Sequence, residues 1–386
     1  MDLYQYITPE RWERFKRFSD KLETPFLVID LDIIRAKYAE LRKYLPYGQI
    51  YYAVKANPHP EVIALLRDLG SNFDIASVYE LDKVMALGVT PDRVSYGNTI
   101  KKEAHVRYAY EKGVRLFATD SHADLINIAN QAPGSKVFIR LSVEGSQSAD
   151  WPLSRKFGCH PDMAFDLAIK AQKLGLVPFG VSFHVGSQQR DIGIWDDAIA
   201  KARYLFSALK HDKGIALQMI NLGGGLPASY IQPTQPVAEY AAEITRYLKE
   251  DFGEEMPQIF IEPGRSMAAE AGILVSEVVL ISKKTTNATV RWIYTDVGKF
   301  GGLIETLDES IKYPLYTEQT GKVGPVILAG PTCDSMDIMY EDFKYDLPLD
   351  ITIGDRIYWF TTGAYTTSYS SIEFNGFPPL TAHILK

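Results

Sequence analysis

One pattern constrains this chain more than any other. Between residues 50 and 265 a short apolar run, a Gly or polar turn and a stretch with helical spacing recur in that order. Such alternation builds parallel strands joined by crossover helices. The runs are YYAVKA (51–56), FDIAS (73–77), VSYGN (94–98), LFATD (116–120), VFIRL (137–141), VSFHVG (181–186), MINLGGG (219–225) and IFIEPG (259–264). Helical patterns lie between them at 60–69, 79–87, 123–130, 161–174, 195–210 and 238–249. Eight units in about 215 residues suit a closed barrel better than an open doubly wound sheet. The expected class is therefore α/β, with a (β/α)8 barrel over 31–267.

Beyond residue 265 the pattern becomes β-branched and aromatic, as in ILVSEVVLI (273–281), TVRWIYTDV (289–297), PVILAG (325–330) and DRIYWFTTGAYTTSY (355–369). These runs predict a second, mainly antiparallel β domain. A further strand signal, PFLVID (25–30), is free to pair with that domain instead of the barrel, so 1–30 is grouped with 268–386.

Composition narrows the function classes. Of 386 residues, 41 are basic and 48 acidic, a net charge of −7, which disfavours a nucleic-acid surface because phosphates call for a basic face. Two cysteines, Cys159 and Cys333, leave no disulfide framework and no thiolate metal cluster, so no metal is expected and a reducing, cytoplasmic location fits. Residues 1–15 lack the apolar core of a leader, and no run approaches the roughly 18 apolar residues of a membrane span.

In a barrel of this kind chemistry sits at the C-terminal ends of the strands. There the chain carries Lys55, where desolvation would depress the amine's pKa and make it a Schiff-base nucleophile, although a lone lysine more often snorkels or pairs with an acid. Gly186 and Ser187, Gly223 to Gly225, and Gly264 with Arg265 end three later units. Any one of these loops reads first as a turn, but together they offer N–H groups, a hydroxyl and a guanidinium to one phosphate. A dinucleotide fingerprint is disfavoured, since NLGGGLPASY (221–230) lacks the third glycine of G-x-G-x-x-G. His184 and Glu262 are polar groups at inward strand ends, ordinary when satisfied. Beside a lysine and a phosphate pocket they make a pyridoxal phosphate site plausible.

The ordered motifs YAVKAN, FDIAS, FHVGS, GGG, EPGR, GPTCD and GAYT resemble the alanine-racemase-like pyridoxal phosphate enzymes, specifically the ornithine, lysine, arginine and diaminopimelate decarboxylases, from about residue 24 to Phe377. The resemblance implies that Lys55 holds the cofactor as an imine, Glu262 pairs with the pyridine nitrogen and His184 stacks on the ring, with Asp74 and Arg140 in support. It implies phosphate contacts from Ser187, Gly224, Gly225, Gly264, Arg265 and Tyr365. It also implies a homodimer with shared active sites, in which Cys333 and Asp334 reach across from the partner. Cys333 would return a proton to Cα, against the usual fate of a free cysteine as a small buried hydrophobe.

A carboxylate at 262, where racemases of this fold place an arginine, favours decarboxylation. Asp334 stands where diaminopimelate decarboxylases typically carry Glu and suits a distal ammonium, with Asp308 a weaker second candidate. That points to a basic amino acid, ornithine giving putrescine or lysine giving cadaverine. Another basic amino acid, diaminopimelate, or a non-catalytic decarboxylase-like regulator are the rival readings. Two departures stand out: DVGKFGGLIETLD (296–308) differs from the family's run, and Asn221 replaces an Asp, which is expected to alter only hydrogen bonding behind the site.

Overall fold

Strands that are apolar on both faces need a neighbour on each edge, and here closure supplies it. The computed structural model describes residues 2–144, 148–152 and 155–386. The chain begins with α1 (Pro9–Ser19), β1 (Phe26–Asp30) and α2 (Leu31–Tyr44). There follow β2 (Gly48–Ala53), α3 (Pro60–Asp68), β3 (Asn72–Ile75), α4 (Val78–Ala86), β4 (Val94–Tyr96), α5 (Glu103–Glu111), β5 (Leu116–Thr119), α6 (His122–Gln131) and β6 (Lys136–Arg140). Next come β7 (Ala149–Trp151), α7 (Pro161–Lys173), β8 (Val177–Ser182), β9 (Ser187–Gln189), α8 (Ile194–Lys213), β10 (Met219–Asn221), α9 (Val237–Phe252) and β11 (Gln258–Ile261).

Strands β2, β3, β4, β5, β6, β8, β10 and β11 pair in parallel in that order and close from β11 back to β2. All eight expected runs therefore contribute a barrel strand. The helices start where the chain supplies caps: His59 accepts the Glu61 N–H, Ser77 the Glu80 N–H and Ser121 the Asp124 N–H, with Pro60 and Pro161 in the first turns of α3 and α7. Tyr51, Ala118, Phe138, Phe179, Met219 and Phe260 form one buried cluster inside the barrel. Tyr51 and Phe260 stack there with ring centroids 4.5 Å apart. That plug is apolar, so the polar strand ends are left to the opposite rim.

The chain forms two compact units, Arg35–Pro227 with Thr234–Ser266, and Met1–Ile34 with Ala228–Pro233 and Met267–Lys386. The short excursion Ala228–Pro233 has no apolar signal of its own. It is held within its unit by Ser229, whose N–H and hydroxyl donate to Glu270 Oε1 and whose carbonyl accepts Thr361 Oγ1.

The second unit adds β12 (Gly272–Ser282), β13 (Arg291–Thr295), β14 (Leu315–Tyr316), β15 (Val323–Ala329), β16 (Ile338–Pro348), β17 (Arg356–Phe360) and β18 (Thr381–Leu385). Its sheet runs β14-β17-β12-β13-β15-β16, and β1 pairs with β12 and β18. Most pairs are antiparallel, but β13 with β15 and β1 with β18 are parallel. Phe15, Phe26, Val28, Val275, Tyr358 and Phe360 share its core, onto which α1 lays Trp12 edge-on to Tyr358 at 5.0 Å.

Gly180 tests the closure. A Cβ there would collide with the Met219 carbonyl of the adjoining strand β10, which cannot yield without breaking the ladder. Gly180→Ala is expected to cost roughly 1–3 kcal/mol of stability, read as a lower urea midpoint; an unchanged midpoint would show that the strands separate freely at this position.

Candidate active site

Because all eight strands run the same way, one rim collects their last residues. Asp74 lies on β3, Arg140 ends β6, Asn221 ends β10, and His184 and Glu262 lie just beyond β8 and β11. Lys55 follows β2 on the single turn Val54–Ala56. Arg140 and Asn221 are both register neighbours of Ser182.

Charge is the first property of this rim. Asp74 is buried, and its carboxyl is pushed well above the usual range by burial and by the Glu262 charge, with Lys55 and Arg140 pulling the other way. Its Oδ1 packs against Gly97, where any Cβ would collide with it, and has no hydrogen-bond partner among the described residues. Burial lowers the pKa of the Arg140 guanidinium, and Glu262, Asp120 and Asp74 oppose that shift. The guanidinium also lies 4.7 Å over the Phe157 ring.

His184 is half-buried, and its Nδ1 accepts the Gly224 N–H at 3.1 Å. Burial, Arg140 and Lys55 hold the imidazole well below its ordinary pKa, so it is the neutral ring, with its proton on Nε2. Glu262 Oε1 accepts a hydrogen bond from Asn221 Nδ2.

One expectation is corrected. Lys55 is an exposed residue, where the sequence placed it among apolar side chains. The strand ends at Ala53, and the turn that follows lifts the lysine onto the open rim. Its charge is nonetheless felt by Asp74 and by Glu80.

The glycine sector is a cradle. Gly223 and Gly225 have φ of +65° and +109°, and a Cβ on any of Gly223, Gly224 or Gly225 would strike Phe183 O, Glu262 O or Val185 Cγ2. The Gly224 N–H is engaged by His184. Beside the cradle, buried Arg265 donates from Nε to Ser187 Oγ at 3.0 Å. The resulting set comprises an exposed amine, a carboxylate acceptor, a neutral flat ring, a buried guanidinium with a hydroxyl, and close-packed backbone. It fits pyridoxal phosphate, whose aldehyde, pyridine nitrogen, ring face and phosphate call for those groups.

The remaining expected residues belong to the second unit. Cys333 is exposed, and its N–H donates to Asn375 Oδ1 at 2.9 Å. Asp334 is half-buried, with Oδ1 accepting the Met336 N–H at 2.8 Å. Asp308 is exposed at φ +52°. Tyr365 also sits in the left-handed region, at φ +57°, a costly state for a non-glycine residue that concentrates at functional sites.

Sequence reasoning missed three participants. Glu80 accepts the Ala76 N–H at 2.6 Å while Ser77 caps α4, and the S-x-x-E spacing could have announced it. Asp337 is buried; it accepts from Lys299 N–H, Thr332 N–H and Thr332 Oγ1, fixing the loop that carries Cys333. Lys101 has a fully buried side chain bonded to Asn98 O, Ala118 O and Asp124 Oδ2, yet the KK doublet in which it occurs reads as solvated. No described helix is long and apolar enough to cross a membrane.

Comparison with known proteins bears on this geometry. The model of the pyridoxal binding domain of pyridoxal-dependent decarboxylases matches residues 31–269. A lysine/ornithine decarboxylase of Selenomonas ruminantium is 32% identical over 363 residues, covering 94% of this chain and 90% of that protein. Among solved structures, a lysine/ornithine decarboxylase of Vibrio vulnificus complexed with cadaverine aligns with a TM-score of 0.88 at 30% identity, over 98% of this chain and 99% of that one. An arginine decarboxylase of Paramecium bursaria Chlorella virus aligns with the same TM-score at 26% identity, over 97% and 100%.

The neutral state of His184 has a consequence for stability. The unfolded chain binds this proton below the ordinary value of 6.5 while the folded one resists it, so acidification through that range favours unfolding. Asp74 contributes the opposite slope above its ordinary 3.8, because the folded state holds its proton longer. His184→Gln is therefore expected to flatten the loss of stability on acidification, measured by urea unfolding from about pH 5 to pH 8. Parallel pH profiles for the two proteins would contradict a neutral His184.

Proposed function

The chain belongs to the pyridoxal-dependent decarboxylases, and from that premise we propose that it converts ornithine to putrescine, with lysine to cadaverine as the second activity. It is a pyridoxal phosphate-dependent amino-acid decarboxylase. The observation that carries the site assignment is the barrel-rim cluster of Lys55, Asp74, Arg140 and Glu262, two cations against two acids around one mouth. When bound, pyridoxal phosphate supplies an electron sink for the pair released from the Cα–carboxylate bond.

The chain's own residues do the rest. Lys55, exposed on the rim, would hold the cofactor through its amine, which is the group that imine chemistry with an aldehyde requires. Glu262 holds a proton at the pyridine nitrogen through the oxygen that Asn221 does not occupy. His184, kept neutral, covers the ring without adding a competing positive charge. Ser187, Gly225, Gly264, Arg265 and the Tyr365 hydroxyl hold the phosphate, with Gly224 contributing through the backbone it shares with His184.

Cys333 is the proton donor to Cα after CO₂ departs, and Asp334 receives the distal ammonium of the substrate, with Asp308 a second acid for that end. We assign Cys333 and Asp334 to a site completed by a second copy of the chain. The support is the exposure of Cys333 and of two bare apolar side chains, Met336 at 58%, two residues beyond Asp334, and Ile372 at 81%, three residues before the Asn375 that accepts the Cys333 N–H; water alone covers such groups poorly. The relative from Selenomonas is named for both lysine and ornithine, and the Vibrio structure holds cadaverine. One methylene separates the two substrates, worth about 1–3 kcal/mol in an apolar pocket, so activity on both is expected.

Release of CO₂ from ornithine, lysine, arginine and diaminopimelate is the direct assay. Ornithine and lysine should head the ranking; diaminopimelate or arginine first would overturn the substrate. Lys55→Ala should reduce turnover to background with the fold intact. Cys333→Ala should slow or misdirect protonation, with a loss of about 10²-fold in kcat. An unchanged rate and product spectrum would remove that thiol from the mechanism. Protein that takes up no pyridoxal phosphate would instead favour a non-catalytic regulator.

A further inference from the structure

Asn221 ends β10 with only 1% of its surface exposed, and both ends of its amide are committed. Oδ1 accepts the Gly223 N–H at 2.9 Å, and Nδ2 donates to Glu262 Oε1. The Gly223 carbonyl in turn accepts the Glu262 N–H at 2.7 Å, closing a ring of three residues across the ends of β10 and β11.

The amide cannot be reversed within this ring. A backbone N–H only donates, so the oxygen must face Gly223 and the NH₂ group must face Glu262. Gly223 itself is fixed by φ of +65° and by the Phe183 carbonyl in the space a Cβ would need. The asparagine thus delivers a donor to Glu262 without delivering charge. An aspartate in the same pose would set an acceptor against an acceptor and place a third acid beside Asp74 and Glu262.

We propose that Asn221 is a positioning residue for the decarboxylation: by occupying Glu262 Oε1 it fixes the carboxylate so that Oε2 is the oxygen that serves the pyridine nitrogen. The proposal rests on the assignment of Glu262 under the preceding heading. It goes further by naming what aims that carboxylate. Asn221 touches neither substrate nor cofactor in this role; it acts through Glu262.

The test compares wild-type holoenzyme with Asn221→Ala and Asn221→Asp. Dissociation constants are measured for pyridoxal phosphate and for its analogue with carbon in place of the pyridine nitrogen, alongside kcat, KM and the pH dependence of the visible absorption of the bound cofactor. Wild type should prefer the true cofactor. Asn221→Ala should reduce that preference by about tenfold, the worth of a charge-assisted hydrogen bond, and lower kcat by at least about tenfold with KM changed little.

Asn221→Asp should lose at least as much kcat as the alanine variant at high pH and approach wild type as pH falls, because a carboxyl group donates only while protonated. Asp74 and Arg140 feel the charge of Glu262, and Lys55 and His184 stand on the same rim; all four bring their own pH dependence, which the three proteins share. Variants are therefore compared with one another at each pH. If Asn221→Ala does not fold, the aspartate series decides alone. Unchanged cofactor preference and kcat, with borohydride still fixing the cofactor on Lys55, would overturn the positioning role alone. Absence of any preference in the wild type, or labelling elsewhere than Lys55, would overturn the Glu262 site reading and this proposal together.

Discussion

The structure depends on one electrostatic constraint: eight parallel strands that close on themselves must bring their charged ends to a single rim. Asp74 and Glu262 repel one another in a poorly solvated mouth, and Lys55 and Arg140 relieve them. Neither acid could be replaced by its neighbour. Asp74 is the deeply buried one, with an oxygen wedged against Gly97, while Glu262 has a dedicated donor in Asn221. Two carboxyls that share a site are thereby made different, which is the condition for giving them different tasks.

Backbone geometry supports that division. Gly223, Gly224 and Gly225 lie so close to Phe183, His184, Val185 and Glu262 that no side chain fits, and the same compression brings the Gly224 N–H onto His184 Nδ1. The imidazole is consequently locked in orientation, tautomer and charge by the segment that forms the cradle. In the other unit, left-handed φ values at Thr361 and Tyr365 mark a loop held away from relaxed geometry. Strain of this kind persists only where surrounding structure over-determines it.

Most of the barrel was legible because its strands are buried on both sides and read as unbroken apolar runs. Their ends were not legible. β8 stops at Ser182, two residues ahead of His184, and β10 at Asn221, ahead of the glycines, because closure and not local pattern sets where pairing ceases. α5 escaped notice because EAHVRYAYE mixes tyrosines and charges around its circumference. β16 escaped because two register shifts against β15 break its alternation. The site residues themselves stood out as polar groups at strand ends. The hydrogen bonds that assign their roles join residues about 40 apart in sequence, as Asn221–Glu262 and His184–Gly224 do, and no local pattern encodes them.

The two lysines of the rim loops differ in burial and in what they can do. Lys101, after β4, is the desolvated one: its pKa is lowered by burial, with Asp124 opposing, and its three N–H bonds are spent on Asn98 O, Ala118 O and Asp124 Oδ2. An ammonium so completely engaged ties the loop after β4 to β5 and to α6 and has no freedom to approach an aldehyde. Lys55 stands on a short turn with its side chain open to solvent, within the electrostatic reach of Asp74 and Glu80. An amine placed there, beside two acids, suits the cofactor-holding role proposed for Lys55 better than an ammonium enclosed by three acceptors does.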